Sequence, residues 1–256
     1  MLSLLEAAAP YIDRFKGIRI STRPDAIDNE VLDLLKKYHV TAIELGAQSM
    51  SDEVLELNER GHTADDVRTA SRLIREHGFA LGLQMMTGLY GSTDDLDRYT
   101  AREFVKLNPD TVRIYPTIVM KGTRLGELYE AGLYEPQTLH SAVELCAELM
   151  TLFERHDIRV IRVGLHAEAS LERGMLAGPY HPAFRELCES RMMLARLTEL
   201  LCELPQGEYR AAVHPRSRSK LTGNRKSNLI ALGERGYQLN IVEDYSLDPL
   251  EVVLIE

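Results

Sequence analysis

The chain has 256 residues, 45% of them hydrophobic and 27% charged. That mix holds enough apolar material for a core and excludes disorder as the main state, and the length suits one large domain or a medium one with a small companion. With 39 acidic against 30 basic residues the net charge is −9, which excludes a basic field over the whole molecule but not a local one.

Residues Ser3–Phe15 carry Leu4, Leu5, Ala8, Tyr11, Ile12 and Phe15 at helical spacing. Gly17 opens the alternating segment Ile18–Thr22, a short strand stopped by Pro24. Asp28 is placed to cap a helix running through Val31, Leu32, Leu35 and Tyr38. Thr41–Gly46 reads as the next strand, followed by helical patterns at Asp52–Leu57 and Ala64–His77. Thr63, with Asp66 three residues on, is close to a capping box for the second of these. Phe79–Thr87 is a strand without charge, as expected when both faces are covered. Thr93–Leu107 is a helix, Thr111–Tyr115 a strand, Thr123–Glu130 a short helix and Pro136–His156 a long one. Ile158–Leu165 is a further strand, and His181–Leu204 a helix closed by Pro205.

Five strand–helix units in succession predict a parallel sheet with right-handed crossovers. Five strands are too few to close an eight-stranded barrel, so an α/β fold with a partial (βα) TIM-like barrel is expected over residues 1–206. From Gly207 the pattern changes: Glu208–Val213, Tyr237–Val242 and Glu251–Ile255 read as strands and Asn228–Arg235 as a helix. A small C-terminal α+β appendage is therefore expected over 207–256.

Cys146, Cys188 and Cys202 have no CxxC or CxxxC spacing. That argues against a disulfide framework, a structural zinc or a self-contained iron–sulfur site, and for structural thiols in a reducing, cytoplasmic compartment. The N-terminus shows no basic region before an apolar run, and no stretch of about 18 apolar residues occurs, so neither a secretory signal nor a membrane span is expected.

Polar residues gather at the strand ends. They include Thr22 and Arg23 after the first strand, and Glu44, Gly46, Gln48 and Ser49 on the second. Gln84, Met86, Gly88 and Gly91 follow on the third, Arg113, Tyr115 and Pro116 on the fourth, and Arg162 and His166 on the fifth. In a part-barrel with helices outside, the lumen face is the polar one, and Glu44 is placed there. Gln84, in an uncharged strand, is either a site residue or a hydrogen-bonded core amide. Met85 and Met86 fit core packing. Gly88 and Gly91 fit plain turns or a backbone that approaches a ligand. His62 is a loop histidine without an assigned duty, and a single histidine such as His166 is weak support for a metal. No Ser/His/Asp arrangement, Walker-type phosphate loop or dinucleotide fingerprint is present.

Five blocks carry a resemblance. They are Ser21-Thr22-Arg23-Pro24-Asp25, Glu44-Leu45-Gly46-Ala47-Gln48-Ser49, Asn58-Glu59-Arg60-Gly61-His62-Thr63, Gln84-Met85-Met86-Thr87-Gly88-Leu89, and Ile114-Tyr115-Pro116-Thr117-Ile118-Val119 with Lys121-Gly122-Thr123. Their order and spacing resemble radical S-adenosylmethionine (SAM) enzymes. The likeness is to the group containing the catalytic subunit of Elongator, with oxygen-independent coproporphyrinogen oxidases more distant. The resemblance implies a part-barrel that binds SAM beside a [4Fe-4S] cluster held by a CxxxCxxC loop, and radical chemistry that in the Elongator group acts on tRNA. It further implies Glu44 and Gln48 toward the ribose and methionine end of SAM, with Thr22 and Arg23 nearby. Gln84 and Met86 would form the pocket floor, and Tyr115 and Pro116 would flank adenine mostly through backbone.

The chain has no CxxxCxxC, and its first strand resembles the middle of the family's barrel. The expectation is a C-terminal portion of the catalytic barrel, inactive alone and binding SAM weakly, with the first strands supplied by upstream sequence or a partner chain. The alternative expectation is a degenerate barrel that binds a ligand or partner without catalysis. A local basic field is present from Tyr209 to Gly233, where Arg210, Arg216, Arg218, Lys220, Arg225 and Lys226 stand without an acid. Residues 210–226, with His62, are the candidates for contact with tRNA or another RNA.

Overall fold

The computed structural model describes residues 2–166 and 169–255. In chain order the elements are α1 (Leu2–Ala8), β1 (Ile18–Thr22), α2 (Asn29–Lys37), β2 (Val40–Gln48), α3 (Asp52–Leu57), α4 (Ala64–Glu76), β3 (Ala80–Thr87), α5 (Asp94–Leu107), β4 (Thr111–Pro116) and β5 (Val119–Met120). There follow α6 (Arg124–Glu130), α7 (Leu139–Glu154), β6 (Arg159–Val163), α8 (Ala169–Gly174), β7 (Met175–Ala177), α9 (Phe184–Leu201), β8 (Gly207–Val213), α10 (Arg218–Thr222), α11 (Ser227–Gly233), β9 (Tyr237–Glu243) and β10 (Val252–Ile255).

Caps set many of the helix starts. Asp28 accepts the Val31 amide, Thr63 and Asp66 form a complete capping box, and Thr93 and Thr123 cap α5 and α6. The expected first helix is split: α1 ends at Ala8, and residues 9–14 tighten into a 3-10 turn. Pro10 has no amide hydrogen and cannot continue the α-helical ladder.

The chain forms two compact units, residues 1–138 with 152–180 and residues 139–151 with 181–256. The expected division at 206/207 falls inside the second unit, between α9 and β8. Residues of α9 share a core with the terminal sheet: Met193, Leu197 and Leu201 pack with Ala211, Val213, Leu221, Leu232 and Val252.

The first unit is the partial barrel, a five-stranded sheet ordered β1-β2-β3-β4-β6 in which every neighbouring pair is parallel. Ile43, Leu45, Leu81, Leu83, Met85, Val112 and Ile114 are fully buried on one face, and α2, α4 and α5 pack against β2 and β3. Burying each such side chain stabilises the fold by about 1.5–3 kcal/mol relative to exposure. The alternate residues of the central strands stay half-buried or exposed on the other face, apart from Glu44, Gln48, Gly82 and Thr111. The unit also contains an antiparallel pair absent from the sequence expectation, β5 with β7.

The second unit carries a three-stranded sheet ordered β10-β8-β9, antiparallel between β10 and β8 and parallel between β8 and β9. Among the described residues no helix is long and apolar enough to cross a membrane.

Candidate functional site

The register of the parallel sheet lines up the polar residues. Ser21 pairs with Glu44 and Glu44 with Gly82. One step up, Gln84 pairs with Arg113 and Arg113 with Arg162. Above that, Met86 pairs with Tyr115. Side chains alternate along a strand, so these rows share the open face, opposite the leucines and isoleucines.

Glu44 is 3% exposed. Its Oε2 lies 2.7 Å from Arg113 Nε, a charge contact without hydrogen-bond geometry that leaves both atoms without a hydrogen-bond partner. Ser21 Oγ donates to Glu44 Oε1 at 3.4 Å. Arg113 also donates to the Tyr115 hydroxyl at 3.3 Å; that bond first, then Glu44, raises its pKa, while burial opposes. Glu44 and Arg113 belong to strands that are not neighbours, and the Glu44 stem reaches across Gly82 between them. A Cβ at Gly82 would stand 3.3 Å from Glu44 Cβ and Cγ.

Gln48 follows a break in the β2–β3 register and adopts φ 65°. In that left-handed conformation its side chain accepts the Gln84 amide at 3.3 Å. Gly46 gives it room, because a Cβ there would lie 2.8 Å from Gln48 Nε2. The structure thus brings Glu44, Gln48, Gln84, Met86 and Tyr115 to one face and adds Arg113 to them. Arg113 alternates with Val112 and Ile114 in a buried strand, and that was the signal for its role.

Other expected residues lie differently. Thr22 pairs in register with Leu45 and Pro116 with Thr87, so their side chains belong to the covered face. Arg23 is engaged by Asp25 at 2.7 Å and by the Gly61 carbonyl. His62 is a correction: it is 6% exposed and its Nε2 lies 3.1 Å from the Ala47 carbonyl, so it is interior and offers no surface to RNA.

The basic segment is partly neutralised, a second correction. Lys220 turns inward, 2.6 Å from Glu189, and Arg218 pairs with Glu243 at 3.2 Å. Arg216, Arg225 and Lys226 are exposed.

Sequence reasoning missed a 340 Å³ cavity beside the end of β3, lined in part by Gly88, Tyr90, Ser92, Asp97, Tyr134 and Gln137. Asp97 is 2% exposed and accepts the Gly88 amide at 2.9 Å and the Ser92 hydroxyl at 2.7 Å. Burial outweighs those bonds and raises its pKa to about 6.

The cysteines do not form a cluster site. Cys146 and Cys188 are buried and Cys202 is exposed, all three free. Hydrogen bonding to Cys146, then burial, pushes the Cys188 thiol up, away from the thiolate that an iron needs. Among the described residues no group of three or more His, Cys, Asp or Glu could hold a metal ion.

Comparison with known proteins agrees with this layout. The family model of the Radical SAM superfamily matches residues 2–102, and that of the Radical_SAM C-terminal domain matches 109–193. The tRNA uridine(34) acetyltransferase of Dehalococcoides mccartyi is 31% identical over 186 residues, 72% of this chain and 40% of that protein. Human Elongator complex protein 3 is 34% identical over 181 residues, 69% of this chain and 32% of that protein. The archaeal Methanocaldococcus infernus Elp3 with an N-terminal deletion superposes with a TM-score of 0.65 at 28% identity, covering 71% of this chain and 42% of that one. The chain thus spans no more than about two-fifths of these relatives' length. With a parallel part-barrel, its polar open face and two successive family matches, the chain belongs to the radical SAM superfamily.

Proposed function

We propose that these residues form the SAM-holding part of the catalytic barrel of a radical SAM enzyme that modifies tRNA. The observation that carries this reading is the buried Glu44–Arg113 ion pair on the open face, whose Oε2 and Nε touch at 2.7 Å but make no hydrogen bond. SAM offers an ammonium, a carboxylate and a ribose diol, which complement a buried carboxylate acceptor and a guanidinium donor. Glu44 and Gln48 would meet the ribose and methionine end, Arg113 the carboxylate, Gln84 and Met86 the floor, and Tyr115 with the Pro116 backbone the adenine edge. When bound, SAM and a [4Fe-4S] cluster supply the radical chemistry, and the protein positions them. The described residues do not fit the cluster, whose thiolates would come from outside them.

The substrate reading follows the relatives, whose names describe tRNA uridine(34) acetyltransferases and an Elongator protein. A cytoplasmic setting accords with three free thiols. β1 is an edge of the sheet, and Leu4, Tyr11 and Phe15 are exposed just before it. That surface suits further strands from more chain or from a partner. The second reading, a binding module without catalysis, is favoured by one observation, the lack of cluster ligands here. The codons upstream of Met1 separate the two: an in-frame CxxxCxxC restores the enzyme. Calorimetry with SAM tests the site itself. Weak binding that Glu44→Gln diminishes supports the proposal, and tight binding, or binding indifferent to Glu44, refutes it.

A further inference from the structure

The second unit contains a turn whose construction the SAM site does not use. Between the parallel strands β8 and β9 the chain makes two short helices, α10 and α11, joined by Gly223-Asn224-Arg225-Lys226. Gly223 has φ +81°, and a Cβ there would stand 2.7 Å from the Asn228 backbone nitrogen, so the turn admits only glycine. Arg225 and Lys226 are both left-handed, at φ 50° and 64°, a conformation uncommon for long side chains. Asn228, 4% exposed, locks the turn from behind. Its amide donates to the Lys220 and Leu221 carbonyls at 3.1 Å and to Ser190 of α9.

In front, Asn224, Arg225, Lys226 and Ser227 are exposed. Arg218 and Lys220 have acidic partners; among the described residues Arg225 and Lys226 have none. Ile230, 57% exposed, stands in the first turn of α11, four residues after Lys226. A rigid glycine-opened turn between two helices, with two free cations and an apolar side chain one turn away, matches a phosphodiester chain whose bases are unstacked. RNA-binding KH modules clamp about four backbone nucleotides on a GXXG loop. Here Lys226, itself left-handed, stands where that pattern has its second glycine.

We propose that the Gly223–Lys226 turn binds single-stranded RNA, with Arg225 and Lys226 on phosphates and a base against Ile230. The inference rests on the tRNA reading only for the choice of RNA as the polymer.

The test is fluorescence anisotropy of the full chain with a labelled oligouridine of about 12 nucleotides, alongside the same strand in a duplex with oligoadenosine. The single strand should bind more tightly than the duplex. Arg225→Asp with Lys226→Asp should weaken it about tenfold or more, and should lower the slope of log affinity against log salt by about 1.4, for two phosphates. Aspartate tolerates a left-handed backbone, so an unchanged melting temperature is expected. Ile230→Ser should weaken the single strand and leave the duplex unchanged. Equal binding of both forms, or a double variant within about twofold of wild type, overturns the proposal. Oligouridine binding without salt-sensitive retention of tRNA would defeat the tRNA reading and leave this one standing.

Discussion

Replacing Gly82 with alanine should break the reach of Glu44 to Arg113. The two residues stand on β2 and β4, two strand spacings apart, or about 9.5 Å, and their charges meet at 2.7 Å because the Glu44 stem crosses a strand position without a side chain. An added Cβ would lie 3.3 Å from Glu44 Cβ and Cγ and 3.1 Å from Thr111 Oγ1. Thr111 is 6% exposed and held in β4, so Glu44 must give way. Overpacking of this kind costs about 1–3 kcal/mol, and losing glycine's extra chain entropy offsets about 0.5–1 of it. The net packing loss should be about 0–2.5 kcal/mol, and weakening the contact of buried Glu44 with Arg113 adds to it. Urea melts give the stability change, and SAM calorimetry on the same sample gives the effect on the site. A Gly82→Ala protein that matches wild type in both would refute the bridging geometry.

Asn228→Asp, nearly isosteric, turns an acceptor toward the carbonyls of Ser190, Lys220 and Leu221. It should cost about 2–4 kcal/mol, since buried groups left unsatisfied lose about 1–3 kcal/mol each; a urea midpoint equal to wild type would contradict this. Asp97 should titrate near 6 in carboxyl NMR, against about 3.9 in an unfolded chain. The folded state then keeps a proton that the unfolded chain releases. The stability from this group, on the order of 3 kcal/mol, is full below about pH 4 and is lost as pH rises through 6; a carboxyl titrating near 4 would contradict it. Leu4→Glu with Phe15→Glu should reduce self-association on size-exclusion with light scattering, and a wild-type chain that is a compact monomer would remove the edge-pairing argument. His62→Gln should leave tRNA retention unchanged, because the imidazole is interior; a salt-sensitive loss of retention would reverse that placement.

Much of the barrel was legible because its strands are short uncharged or alternating runs set between helical patterns, with Gly, Pro or a capping residue at many of their ends. Alternation together with the polar lumen of a part-barrel places Glu44 on the open face, whereas Gln84, in an uncharged strand, fits a core amide as well as a site residue. Thr22 could not be placed, because its facing depends on which residue of β2 it meets, and a shift in pairing lies between Ile18 and Arg19. The reach of Glu44 to Arg113 depends on a glycine in the strand between them, which no local pattern announces. Lys220 read as a surface cation because its partner Glu189 lies on a different helix, far away in sequence. The short helix α10 was missed because Arg218–Thr222 alternates serine and base rather than showing an apolar period. Pro10 shortened the first helix, a rule visible in the sequence but overridden by the apolar spacing around it.

The central claim is that one face of the sheet cradles SAM. It is tested most directly by a crystal structure of the chain soaked with S-adenosylhomocysteine. The account predicts the ligand's amino-acid end between Glu44 and Arg113, its adenine beside Tyr115, and Gln84 beneath. Ligand density on the leucine-covered face, or in the C-terminal unit with the Glu44–Arg113 contact undisturbed, would contradict it.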